Sequence, residues 1–225
     1  MPNLLVWDVK TVPDLQVYAA ANGLTTQSDE EIRDAMGADA SNPIYRSIIC
    51  ISWLIVHFDA DRWTVDSGYA AHVASMSEQE LIKQFFDTIA DLKPQLVTFS
   101  GASLLEYRAL RHKLAMPQYL PELHNPYALD DLSLCDILSP FSQRKMKLRE
   151  LCAVLGLRYD GLEDDEVQGY FRERRILEIA ESCERDVVSI FRIWLRRELF
   201  QGRLSKYGFQ HSEEKLEVFF RSVSA

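Results

Sequence analysis

The sequence lacks any apolar run long enough to cross a bilayer. The longest, Ile48 to Phe58, is interrupted by Ser52 and His57, whereas a spanning helix needs about 20 apolar residues. The first residues, Met-Pro-Asn-Leu-Leu-Val-Trp-Asp, offer no basic region ahead of an apolar core, so no secretory leader is predicted. Cysteine is sparse, and Cys50, Cys135, Cys152 and Cys183 show no C-x-x-C spacing. Each lies in an apolar segment, which predicts four buried thiols rather than disulfides or a zinc site. Internal repeats, low-complexity tracts and long linkers are also missing. The expectation is a soluble, cytoplasmic protein with no membrane contact.

Positive charge is in short supply: 25 Lys and Arg stand against 34 Asp and Glu, for a net charge of −9. That excludes wrapping a phosphate backbone by bulk charge and leaves only local nucleic-acid contacts. Basic clusters occur at Arg111–Lys113, Arg144–Arg149, Arg172–Arg175 and Arg196–Arg197. Any one of them reads equally as a solvated helix face.

What is present reads as a mixed α/β chain. Leu4-Leu5-Val6-Trp7, ending at Asp8, has the continuous apolar character of a buried central strand. Strands are predicted near 47–58 and 61–69, joined by a turn at Asp59-Ala60-Asp61, and further strands at 95–99 and 132–137. Residues 16–47 read as polar and irregular, with a helix start at Ser28-Asp29-Glu30-Glu31. Ser77-x-x-Glu80 is a capping box for a helix that places Leu81, Ile82, Phe85, Phe86 and Ile89 on one face. Gly101 leads into a helix near Ser103–Leu114, and the chain after Lys147 reads as helical, including a long segment from Ile176 to Phe200. Residues 1–205 are expected to form one domain, with 206–225 a C-terminal extension packed on it.

Four ordered segments carry a resemblance. They are Trp7-Asp8-Val9-Lys10-Thr11-Val12-Pro13-Asp14; Arg46-Ser47-Ile48-Ile49-Cys50-Ile51-Ser52; Lys93 through Gly101; and Val167 through Glu184-Arg185-Asp186-Val187 to Leu204. Together they resemble the predicted 3′→5′ exonucleases related to the proofreading domain of family B DNA polymerases, in the DEDD superfamily. The resemblance implies an RNase H-like mixed sheet flanked by helices. It also implies two divalent ions about 4 Å apart, held by four carboxylates because Mg²⁺ and Mn²⁺ favour oxygen ligands.

Aligned with that pattern, Asp8 and Asp186 match the first and last carboxylates. Lys10 stands for the glutamate two residues along the first strand. Leu105 stands for the third carboxylate, Ser182 for a water-orienting tyrosine, and Ser100 for an asparagine. A cation about 4 Å from a divalent ion is repelled by roughly 8 kcal/mol at an effective dielectric near 20. Lys10 is therefore expected to pair with Asp8 or Asp186 in place of metal.

The resemblance thus implies a degenerate exonuclease with no cofactor, binding single-stranded DNA or RNA ends or a protein partner through a remnant groove. Thr11, Ser100 and Gly101 would flank that groove. The alternative is an active Mg²⁺- or Mn²⁺-dependent exonuclease in which Asp8 and Asp186 bind the metal with a substitute carboxylate such as Glu106. Asp136 reads as structural, and Glu163-Asp164-Asp165-Glu166 as an acidic helix start favoured by the helix dipole.

Overall fold

The computed structural model describes residues 3–100, 102–117, 131–138 and 146–223. Five strands form one mixed sheet in the order β3-β2-β1-β4-β5. They are β1 (Asn3–Pro13), β2 (Arg46–Asp59), β3 (Arg62–His72), β4 (Gln95–Thr98) and β5 (Asp131–Ser133). β1 to β3 pair antiparallel, and β4 and β5 run parallel to β1. The helices are α1 (Leu15–Asn22), α2 (Asp29–Met36), α3 (Glu78–Leu92), α4 (Ala102–Arg111), α5 (Leu134–Leu138), α6 (Leu148–Val154), α7 (Asp164–Arg172), α8 (Ile176–Phe200) and α9 (Lys206–Val223).

Alternation along β1 sorts the core into two layers. Leu5 and Trp7 join Ile51 and Trp53 against Leu81, Ile82, Phe85 and Ile89 of α3 and Leu104 and Leu105 of α4. Leu4 and Val6 turn to the other face, where Val187, Ile190, Phe191 and Trp194 of α8 and Leu216 of α9 complete a second cluster. By the same alternation Asp8 and Lys10 belong to the α8 face. The sheet is therefore a filling between helices on both sides, the mixed RNase H-like arrangement that the first strand implies.

Local chemistry sets the helix boundaries. Ser77 and Glu80 cap α3 reciprocally, and Ser28 with Glu31 does the same for α2. Within 16–47, α1 appears where the composition suggests no regular element. Asp14 caps it by accepting from the Val17 amide, and Tyr18, Ala19, Ile32 and Met36 bury a satellite cluster with α2. The Glu163–Glu166 run begins α7 with its own capping box. None of the four cysteines forms a disulfide, and all are buried.

Strand boundaries differ from the sequence reading at β1 and β5. β1 continues to Pro13 rather than ending at Asp8, because β2 pairs with it throughout, across an irregularity between Lys10 and Thr11. β4 leaves β1 after the Trp7–Thr98 pair, so Asp8 lies mid-strand, just beyond its parallel neighbour. β5 stops at Ser133, and Leu134 and Cys135 enter α5 fully or nearly buried. A short apolar run does not by itself distinguish strand from helix. The Cys135 amide still donates to the Phe99 carbonyl as the chain enters α5.

At the C-terminal end, α9 docks on the β2–β3 hairpin. Ala60 and Asp61 take the left-handed conformation in its turn. Asp61 accepts hydrogen bonds from the amide and hydroxyl of Ser205. The Ser212 hydroxyl accepts from the Trp63 amide at 2.8 Å. A Cβ on Gly208 would stand 1.9 Å from the Asp61 carbonyl oxygen, so this approach requires glycine. No described helix is long and apolar enough to cross a membrane.

Candidate functional site

Asp8 and Lys10, two residues apart on β1, point toward α8, and α8 sends Asp186 back. Lys10 Nζ lies 2.5 Å from Asp186 Oδ2 and donates a second hydrogen bond, of 3.0 Å, to the Leu162 carbonyl. Lys10 and Asp186 are 8% and 2% exposed, so the pair is shielded from water. Asp8 is half-buried, and its backbone carbonyl accepts from the Cys183 thiol.

The electrostatics follow from this crowding. Burial, and then the nearby Asp186 charge, push the Asp8 carboxyl up to about 8. Burial also raises Asp186, against the opposing pull of Lys10. Burial alone would lower the Lys10 ammonium, but Asp186 and Asp8 outweigh it and hold it above its ordinary value. The arrangement favours a lysine–aspartate ion pair and disfavours a second negative charge on Asp8 beside it.

A segment that the sequence reading passed over closes the site. Between α6 and α7, the Tyr159 hydroxyl reaches Asp186 Oδ2 at 3.4 Å. The Leu162 amide donates to the Ser182 hydroxyl at 2.7 Å. Gly161 lies so close that a Cβ there would sit 1.9 Å from Asp186 Oδ1. Ser182 is fully buried in this anchoring role. Burial and the Asp186 charge both raise the Tyr159 phenol above its ordinary value. The only hint in the sequence was the turn-forming Asp160-Gly161 pair.

Other expected site residues lie elsewhere. Leu105 is 2% exposed and packs with Leu5 and Trp7 on the α3 side of the sheet, whereas Lys10 and Asp186 meet on the α8 side. Glu106 follows it on α4 and is half-buried. Thr11 is not open at a groove: its hydroxyl and carbonyl accept from the Arg46 guanidinium at 2.6 and 2.8 Å, and it is buried. Ser100 is exposed, and its carbonyl accepts from the Thr98 hydroxyl. Gly101 lies outside the described residues. Asp136 is exposed in the first turn of α5.

The family's chemistry implies divalent ions, and the residues present do not fit them. A protonated amine bonds one of the two aligned aspartates, and no group of three or more His, Cys, Asp or Glu among the described residues is placed to hold an ion. Beside the site, a cavity of about 720 Å³ opens between β2, β3, α8 and α9. Its walls mix Arg158, Arg185 and Arg192 with Glu181, Glu184 and Glu217.

No curated protein matches the chain. A family model described as a predicted 3′–5′ exonuclease related to the exonuclease domain of PolB matches residues 41–224. That span takes in β2 to β5, the Asp186 helix and α9, and begins after the strand that carries Asp8 and Lys10. Most of the chain is covered, and the mixed sheet with its α8 aspartate is the matching architecture: the chain belongs to the family of predicted 3′–5′ exonucleases related to the exonuclease domain of PolB.

Proposed function

We propose that this protein is a degenerate 3′→5′ exonuclease, impaired in hydrolysis and acting as a binding module. The observation that carries the reading is the Lys10 ammonium 2.5 Å from Asp186. Phosphodiester cleavage by the two-ion route needs positive charge supplied as ions that polarise oxygen and generate hydroxide. An ammonium neutralises the carboxylate but has no vacant coordination position for water or phosphate. Lys10 thus meets the electrostatic need of Asp186 without the Lewis acidity.

The partner is a nucleic-acid end or another protein, and charge favours the protein. The net charge is −9, and a member of each of three basic clusters pairs with acids within the chain. Arg149 pairs with Glu163, Arg175 with Glu173 and Glu178, and Arg197 with Glu198. The mixed-sign walls of the cavity beside the site suit a polar protein surface better than a run of phosphates.

The test is a digestion assay on 3′-labelled single-stranded DNA and RNA with Mg²⁺ or Mn²⁺. No shortening beyond that seen with an Asp8→Ala preparation is expected. Metal-dependent shortening that disappears in Asp8→Ala would overturn the reading and establish an active enzyme.

A further inference from the structure

The cation at Lys10 is one obstacle to an ion at Asp186; the fold supplies a second from a different part of the chain. Four contacts tie Tyr159–Leu162 over the carboxylate. The Tyr159 hydroxyl bonds Asp186 Oδ2, the Leu162 carbonyl accepts from Lys10, and the Leu162 amide donates to Ser182. Arg185 Nε donates to the Asp160 carbonyl at 3.1 Å. On its outer side the Arg149 guanidinium lies over the Tyr159 ring, 5.4 Å from the centroid. Leu162 is seated in the apolar cluster of Val12, Ile49, Val167 and Ile179.

Gly161 fills the remaining space. Asp186 Oδ1 is buried and has no hydrogen-bond donor among the described residues. The Gly161 backbone lies against it closely enough that a methyl would overlap it at 1.9 Å. The carboxylate oxygen that Lys10 does not bond is therefore covered by the Gly161 backbone.

We propose that Tyr159–Leu162 is a built-in strap that occupies the remnant groove and keeps Asp186 from metal ions and from nucleic-acid ends, held by three contacts that do not involve Lys10 as well as by one that does. This deepens the reading of the site as impaired, and rests on it. Removing the cation alone leaves the site shut, and any partner binds outside the strap.

The experiment uses the full chain as wild type, Lys10→Glu, Gly161→Ala and the Lys10→Glu/Gly161→Ala double variant. Hydrogen exchange is followed by mass spectrometry, and Mn²⁺ binding by calorimetry. Gly161→Ala is expected to speed exchange at the Leu162 amide by about tenfold, the worth of one hydrogen bond, with the β1–β2 amides unchanged. The double variant is expected to bind Mn²⁺ about tenfold more tightly than Lys10→Glu, the scale on which groups around a ligand govern metal affinity. Lys10→Glu binding Mn²⁺ as tightly as the double variant, or Leu162 exchange unaltered by Gly161→Ala, overturns the strap and leaves the cation reading standing. Metal-dependent digestion by wild type would instead overturn the reading of impaired catalysis. Should Gly161→Ala fail to fold, Ser182→Ala removes the acceptor of the Leu162 amide without adding volume and carries the same two expectations.

Discussion

Lys10 Nζ and Asp186 Oδ2 meet at 2.5 Å across the gap between the central strand and α8, joining residues 176 positions apart in the chain. The family resemblance implies that carboxylates from strand and helix would gather around ions in the same gap. On the reading proposed above, a covalently attached cation takes that place, and a site for exchangeable ligands becomes a fixed internal contact.

The pair should be asymmetric under mutation. Asp186→Ala leaves a buried ammonium with only a carbonyl and a half-buried acid beside it, and is expected to cost about 3–5 kcal/mol in chemical denaturation. Replacing both partners with apolar residues, Lys10→Met with Asp186→Leu, should cost clearly less, because neither charge is then stranded. A double-mutant cycle on urea midpoints measures the coupling; additivity of the two single changes would contradict it.

A carboxylate at position 105 should not rebuild a metal site. Leu105 is 2% exposed among Leu5, Trp7 and Phe85, on the sheet face away from Lys10 and Asp186. Leu105→Asp is expected to destabilise by about 3–5 kcal/mol, combining the lost packing with burial of a polar group. Its Mn²⁺ affinity should match that of wild type, which calorimetry on folded protein checks.

How much of this was legible without the fold depends on how far apart the interacting residues are. Ser77 and Glu80 announce α3 because both capping partners lie within one turn, and the apolar spacing of Ile176–Phe200 fixes α8. Asp8, Lys10 and Asp186 were legible as a set through the family resemblance. The strap was not, since Tyr159 and Gly161 acquire meaning only from contacts with residues more than 20 positions away. Leu105 shows the opposite failing: alignment gives its place along α4 but not its packing on the α3 side. Thr11 reads as a surface hydroxyl until Arg46 folds over it.

Acid should weaken the contacts around Asp14, where β1 ends and α1 begins. Burial alone would raise the Asp14 carboxyl, but bonds from the Val17 amide, Ser47 and Arg108 hold it below its ordinary value of 3.8. The folded state thus binds this proton less readily than the unfolded chain does. The stabilisation is complete above the unfolded value near ~3.9 and is lost as pH falls through the lower folded value. Asp14→Asn keeps a helix-capping oxygen but removes the charge facing Arg108 at 2.9 Å. It should flatten the decline in urea midpoint between about pH 5 and pH 3. An unchanged slope would mean that other acids govern it.

The last helix should prove inseparable from the sheet. Gly208→Ala places a methyl 1.9 Å from the Asp61 carbonyl oxygen, and is expected to lower Tm by several degrees, as a loss of about 1–2 kcal/mol does in a chain of this size. Ser212→Ala strips the Trp63 amide of its buried acceptor and should act in the same direction by a comparable amount. Thermal unfolding in one transition tests the unity of 1–205 with 206–225. A separate early transition for the C-terminal residues would divide them.

The 176-residue span between Lys10 and Asp186 also has a consequence in time. At about 5–20 residues per second, a ribosome releases Lys10 roughly 10–35 s before Asp186. Through that interval the apolar face of β1 and β2 that α8 will cover has no helix to rest on, and the ammonium stands in water. Ser212 reaches the β2–β3 hairpin later still. The nascent chain therefore carries an unfinished sheet through that interval, and the lysine–aspartate contact forms only long after the strand that holds Lys10 has been made.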